Sequence, residues 1–165
     1  MNLMITGGAG FIGSNFARYE RQHHPQDRVL VLDALTYAGN LANLAPIADS
    51  PRYRFVEGDI CDAELVAELM PQHDAVVHFA AESHVDRSIT GAADFVRTNV
   101  LGTQVLLQAA LDAGIDRFVH VSTDEVYGSI DEGSWPEDHP LLPNSPYSAS
   151  KASSDQLARS YARTF

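Results

Sequence analysis

Gly7-Gly-Ala-Gly10-Phe-Ile-Gly13 follows directly on the apolar run Asn2-Leu-Met-Ile-Thr6 and opens into a helix-like segment, Phe11 to Gln22. Few sequence features restrict a fold more. A strand, a glycine-rich turn and a helix in that order form the first unit of a parallel sheet: Gly7 allows the tight turn, and Gly13 lets helix and strand pack closely. Gly10 lets backbone approach a pyrophosphate, to which the helix N-terminus presents N–H groups and the positive end of its dipole. Asp33 strengthens that reading. It ends the second apolar run, Arg28 to Asp33, at 33 − 13 = 20 residues past the last glycine. A carboxylate there accepts hydrogen bonds from the adenosine ribose hydroxyls and repels a 2′-phosphate, which favours NAD over NADP. The alternative is a glycine-rich turn with an incidental aspartate.

The rest of the chain keeps alternating strand-like and helix-like segments, so the expected fold is α/β with a doubly wound parallel sheet. Further strands are expected at Tyr53 to Glu57, Ala75 to Phe79 and Arg117 to Ser122. Helices are expected from Ala63 to Met70, stopping at Pro71, and from Asp94 to Ala113, closed by Gly114 in the left-handed cap position. Phe95, Val96, Val100, Leu106, Leu107, Ala110 and Leu111 give that long helix a broad apolar face, either buried or a subunit interface. Asp124 to Ser145 reads as a long connection, functional or disordered. Ser145 as N-cap and Pro146 as first residue then open a helix running to about Arg163.

A length of 165 residues suits one domain with a real core. The net charge of −11 argues against nucleic acid or anionic membrane as a partner, since both reward clustered Lys and Arg. The single cysteine, Cys61, excludes an internal disulfide, fits a reducing compartment and reads as a small apolar residue in or near the core. No apolar run approaches the ~18 residues of a membrane span, and no basic region precedes the short N-terminal one, so a cytoplasmic protein is expected. His78 and His120 lie inside apolar runs and read as core histidines. The seven histidines show no metal-ligand spacing, so no metal is expected.

Two pairs of residues carry chemistry. Tyr147 and Lys151, four apart, share one face of the last helix. There an ammonium can lower the phenol's pKa and make it a base for an alcohol proton. Asp124 and Glu125 supply an acid and a base for a second proton transfer, such as loss of water. Thr123-Asp-Glu could instead merely cap a helix or face solvent. Asp59 could cap a helix or bond an adenine amino group. Ala80-Ala-Glu-Ser-His-Val-Asp-Arg-Ser88 follows the fourth strand at the carboxyl edge, where doubly wound sheets bind ligands. It is either a solvated loop with a helix cap or a ligand contact, with Ser83 the residue best placed to face one.

Thr6-Gly-Gly-Ala-Gly-Phe-Ile-Gly13, Asn99 and Tyr147-x-x-x-Lys151 resemble the extended short-chain dehydrogenase/reductase family. Its nucleotide-sugar dehydratases are resembled further in Asp33-Ala-Leu-Thr-Tyr-Ala-Gly-Asn40, Ala80 to Ser88, Val121-Ser-Thr-Asp-Glu-Val-Tyr-Gly128 and Tyr147-Ser-Ala-Ser-Lys-Ala-Ser-Ser-Asp155. The likeness runs through the whole chain, and the Thr-Asp-Glu triplet is its most specific part. It implies a Rossmann-like domain that uses NAD in the dehydration of dTDP-glucose. C4 is oxidised, water leaves across C5 and C6, and the hydride returns to C6, giving a 4-keto-6-deoxy sugar nucleotide. Tyr147, assisted by Lys151 and Thr123, would take the 4-hydroxyl proton. Glu125 would take the C5 proton, and Asp124 would protonate the departing 6-hydroxyl. That division needs a neutral Asp124 and an ionised Glu125, which like charges in a desolvated site favour.

The resemblance also implies residues around NAD: Gly7, Gly10, Phe11, Ile12, Gly13, Asp33, Ala34, Leu35, Thr36, Asp59, Ile60, Phe79, Ala80, Ala81, Ser83, Thr98, Tyr147 and Lys151. Ser83, Thr123, Asp124 and Glu125 would meet the sugar nucleotide, and a homodimer would form through residues 94–113 and 147–163. Family members are roughly twice as long, the size of two domains. The chain therefore reads as the NAD-binding domain, residues 1–165, without the C-terminal substrate domain, and inactive alone. The alternatives are a dehydratase acting on UDP-glucose, a UDP-sugar epimerase (which needs no dehydrating pair), and a non-catalytic NAD-sensing module.

Overall fold

The apolar, β-branched runs become five strands: β1 (Asn2–Thr6), β2 (Arg28–Asp33), β3 (Tyr53–Glu57), β4 (Ala75–His78) and β5 (Arg117–His120). The computed structural model describes residues 1–165. All strands pair in parallel in the order β3-β2-β1-β4-β5. Strand order reverses between β1 and β4, the switch point at whose carboxyl edge such sheets bind ligands. The doubly wound expectation is borne out. The helices are α1 (Phe11–His23), α2 (Ala63–Leu69), α3 (Val85–Thr90), α4 (Ala92–Phe95), α5 (Thr103–Asp112) and α6 (Pro146–Thr164). None is long and apolar enough to cross a membrane.

The chain divides into a sheet unit, Met1–Ala80 with Val105–Val121, and a helical unit, Ala81–Gln104 with Ser122–Phe165. In the sheet unit, alternate strand residues enter two cores. Leu3, Ile5, Val29, Val31 and Val77 meet Ala17 of α1 and Leu44 and Ile47. Met4, Leu30, Leu32 and Val76 meet Val66 and Leu69 of α2 with Leu106 and Ala110 of α5. Covering both faces is why these strands read as continuous apolar runs rather than alternating ones. Each fully buried Leu, Ile or Val contributes roughly 1.5–3 kcal/mol. Cys61 is half-buried and packs against the second core.

Several elements differ from the sequence pattern. Leu41–Ile47 forms a 3-10 helix, with the Asn40 side chain accepting from the Ala42 N–H at 3.0 Å. Its irregular spacing and internal Pro46 conceal it from a periodicity test. Pro71 does not stop the chain turning, because α2 continues into a 3-10 turn, Met70–Gln72. The expected helix over 94–113 is helical from Ala92, and Val96–Gly102 is wound as a π-helix. Phe95, Leu106, Leu107 and Ala110 of its apolar face are buried, whereas Val96 is 55 % exposed. Gly114 at φ +69° follows α5 as expected. The connection after Asp124 is ordered: Asp124–Tyr127 is a 3-10 turn, and Leu142 donates its N–H to the Val126 carbonyl at 3.0 Å. Trp135 and His139 pack their rings 6.0 Å from that of Tyr127. The start of α6 is as expected, with Pro146 first and Ser145 and Ser148 forming a reciprocal capping box.

Candidate active site

The glycines of the first turn do different jobs. Gly7 has φ +69°, and a Cβ on it would lie 2.5 Å from the Ala80 nitrogen, so no L-residue fits. A Cβ on Gly13 would lie 2.4 Å from the Gly7 carbonyl oxygen, so helix and strand approach too closely for a side chain. At Gly10 a Cβ would meet only that same oxygen, at 3.4 Å. The fold of the chain itself does not require glycine there. Space is left at the start of α1, whose N-cap Gly10 provides no side-chain cap. The first-turn N–H groups thus have no side-chain acceptor, which is what an anion cradle needs. Phe11 and Ile12 beside it are 81 % and 62 % exposed.

Asp33 is not incidental. Its buried carboxylate accepts from Ala9 N–H and from Leu35 N–H, both at 2.9 Å, and so fixes the glycine turn to the end of β2. Leu35 sits at φ +50°, a conformation costing on the order of 1–3 kcal/mol, and the bond on its N–H helps to hold it. A carboxylate offers about four acceptor positions, so ribose hydroxyls can share this one. Ala34 and Thr36 are exposed beside it. Asp59 does not cap α2; Asp62 does, at 3.1 Å from Leu65 N–H, while Asp59 accepts from Cys61 N–H at 2.8 Å. Ile60 points into the core at 4 % exposure, which leaves only its backbone to face a ligand. Phe79 packs on Phe16 with ring centroids 5.5 Å apart, and Ala80 donates to Thr6 Oγ1 at 3.4 Å. His78 is a core histidine bonded to Thr6 Oγ1 at 2.6 Å, as expected. His120 is only half-buried, its ring 5.3 Å from that of His78.

In the helical unit, Tyr147 and Lys151 are both buried on α6. The rings of Tyr147 and Phe95 lie near-perpendicular with centroids 6.3 Å apart, and Ser150 Oγ donates to the Tyr147 carbonyl at 2.6 Å. Asn99, 1 % exposed, donates to Ser150 Oγ at 2.8 Å and to the Glu82 carbonyl at 2.9 Å, and accepts from Glu82 N–H at 2.8 Å. One side chain in the π-helical stretch thus ties α6 to the segment after β4. The spacing of the base pair gives no hint of this role. Its signal is the serine run Ser148, Ser150 and Ser154 on the buried face of α6, too polar for ordinary core. Desolvation pushes the Lys151 ammonium down to about 8, and the charge of Asp155 opposes that fall. At neutral pH Lys151 therefore remains mostly charged.

Thr123 is the N-cap of the Asp124–Tyr127 turn. Its Oγ1 accepts from Glu125 N–H and donates to Asp124 Oδ1, each at 3.3 Å. Capping and display of the two carboxylates are therefore one arrangement. Both carboxylates are solvent-exposed. The desolvated setting expected around them is not built: the turn packs through Val126, which is buried, and leaves both carboxylates on its open side. Ser83 is exposed in the segment before α3, Ala81 is half-buried, and Thr98 is half-buried on the π-helical stretch. Elsewhere, Glu20, His24 and Asp27 bring potential ligand atoms within 4.8 Å of one another. Asp27 already pairs with the Met1 ammonium at 2.7 Å, and the Arg21 guanidinium bonds the His24 and Asp27 carbonyls, so cationic charge is already supplied there.

The sequence model of the family described as GDP-mannose 4,6 dehydratase matches residues 4–165. The chain belongs to that family. Among its relatives, a dTDP-glucose 4,6-dehydratase of Streptomyces antibioticus is 63% identical over 99% of the chain and 50% of its own length. The low-salt glycan biosynthesis protein Agl12 of Haloferax volcanii is 62% identical over 99% of the chain and 53% of its own length. A dTDP-glucose 4,6-dehydratase of Streptomyces venezuelae, solved with NAD bound, superposes with a TM-score of 0.95 at 65% identity, covering 99% of this chain and 52% of that one. The resemblance read from the motifs is borne out at this level. The chain spans about half the length of the curated relatives it matches.

Proposed function

We propose that this chain is the NAD-binding and base-bearing half of a dTDP-glucose 4,6-dehydratase, a hydro-lyase whose substrate domain follows residue 165. One observation carries the reading. The same helical unit holds the buried Tyr147–Lys151 pair and a capped turn that displays Asp124 and Glu125. The relatives named dTDP-glucose 4,6-dehydratases support the substrate, and the neighbour solved with NAD supports the cofactor.

The cradle fits that cofactor. Gly10 leaves room beside the uncapped N-terminus of α1 for a pyrophosphate, and Asp33 keeps acceptor capacity for ribose hydroxyls. When bound, NAD would accept the hydride from C4 and return it to C6, leaving the 4-ketone in place. The protein's residues move the protons. The charged, desolvated Lys151 lowers the phenol pKa of Tyr147, which takes the proton of the 4-hydroxyl with help from the Thr123 hydroxyl. The new 4-ketone acidifies C5–H, Glu125 takes that proton, and Asp124 protonates the departing 6-hydroxyl so that water leaves. This division of labour needs the exposed turn to be enclosed when the sugar nucleotide binds. Val96 and Leu101, exposed apolar residues within residues 94–113, support a homodimer through residues 94–113 and 147–163. The lone Cys61 supports a cytoplasmic location.

The test is incubation of the full-length protein with NAD and either dTDP-glucose or UDP-glucose, following the alkali-induced absorbance of a 4-keto-6-deoxy sugar. Product from dTDP-glucose is expected. Turnover of UDP-glucose alone would change the substrate, and tight NAD binding with no product from either sugar nucleotide would favour a sensing module.

A further inference from the structure

Ser122, immediately before the acid–base turn, donates its hydroxyl to Asp155 Oδ2 at 2.6 Å. Asp155 is four residues beyond Lys151 on α6, the spacing that puts two side chains on one helical face. A single carboxylate therefore lies on the helical face of the buried ammonium, close enough for its charge to favour the charged lysine, and is bonded to the segment that carries Thr123, Asp124 and Glu125. We propose that Asp155, oriented by Ser122, is a positioning residue of the reaction: it keeps Lys151 paired with Tyr147 and ties the acid–base turn to α6.

The physical need is specific. Lys151 is 5 % exposed, and burial without a counter-charge favours its neutral form. A neutral Lys151 would no longer lower the phenol pKa of Tyr147. Asp155 is half-buried and Ser122 is exposed, so the charge of Asp155 carries most of the effect and its hydrogen bond the lesser part.

This role rests on the dehydratase reading for its consequence but not for its test. The Nζ of Lys151 is titrated by NMR in the full-length protein and in Asp155→Asn, Asp155→Glu and Ser122→Ala, alongside the pH profile of kcat. In Asp155→Asn, an isosteric change that preserves an acceptor for Ser122, the Lys151 titration moves to lower pH by about one unit, equivalent to one nearby charge. The alkaline limb of kcat moves with it, and kcat at pH above neutral falls about tenfold while KM is little changed. Asp155→Glu restores most of the titration. Ser122→Ala leaves the charge in place, moves the titration less and in the same direction, and lowers kcat about threefold. A Lys151 titration unmoved in Asp155→Asn overturns the proposal whether or not the parent turns over dTDP-glucose. A loss of activity equal at every pH would also overturn it, since that marks a purely structural residue.

Discussion

The turn at Gly7 to Gly13 and the buried face of α6 are built from opposite materials. In the sheet unit the ligand-facing turn is shaped by the absence of side chains, with backbone against backbone at distances no Cβ allows. In the helical unit the reactive pair is placed by the presence of polar side chains, Asn99, Ser148, Ser150 and Ser154, buried and bonded to one another or to nearby backbone. A steric frame offers rigidity without electrostatic demand, which suits a cradle for a cofactor held by its backbone. A polar frame carries a desolvation cost, offset only while every partner is in place. Its return is a lysine whose charge sits where it can be used. Robust scaffold and costly chemistry are thereby kept in different parts of the chain.

Substitutions can break either side of that contrast. Gly7→Ala is expected to do most damage, since it forces a side chain into the Ala80 backbone at a positive φ. Loss of more than about 4 kcal/mol in denaturant unfolding is expected. Asn99→Ala removes the side-chain partner of both backbone polar groups of Glu82 and the donor to Ser150 Oγ, which keeps only its own bond to the Tyr147 carbonyl. It should cost about 3 kcal/mol and loosen the segment from Glu82 into α3 in hydrogen exchange.

Lys151→Met should do the reverse and stabilise the protein. The lysine's pKa is lowered on folding from 10.5 to about 8. The unfolded chain therefore binds the proton more tightly between those values, and wild-type stability rises with pH across that window. Below pH about 8 the full penalty applies, so Lys151→Met gains between about 2 and 3 kcal/mol at pH 7 and progressively less toward pH about 10.5. Paired melts of the two proteins across that range measure the difference, and activity is lost in the variant. Smallest in stability is Gly10→Ala, where the new Cβ meets one atom at 3.4 Å. It should shift unfolding by less than about 1 kcal/mol while weakening NAD binding at least tenfold in calorimetry. A large loss of stability there would erase the distinction between packing glycine and ligand glycine.

How much of this could be read beforehand follows the same division. The sheet unit was legible because its signals are local and periodic: all five strands and α1 follow from apolar runs and the glycine turn between them, whereas the bonds of Asp33 to Ala9 and Leu35 N–H do not. Tyr147 and Lys151 were legible as a helical pair opened by Ser145 and Pro146. What escaped depends on partners distant in sequence. The π-helical winding around Asn99 answers to Glu82 and Ser150, 17 and 51 residues away, and no helical period reveals it. The order of the segment after Asp124 comes from rings of Tyr127, Trp135 and His139 that composition makes look like loop. The exposure of Asp124 and Glu125 was equally hidden, because chemistry names the residues a reaction needs but not what covers them.

The measurement that tests the account most directly separates oxidation from dehydration. Full-length protein carrying Asp124→Asn with Glu125→Gln, loaded with NAD, would be mixed with dTDP-glucose and followed for reduced nicotinamide absorbance and for 4-keto-6-deoxy product. The account predicts that reduced cofactor accumulates while product formation falls by at least about a hundredfold, as for loss of general acid and base. Tyr147→Phe in the same assay should give neither signal. Product at the parental rate from the double variant would contradict the account, because the turn at Asp124 and Glu125 would then not be where water is lost.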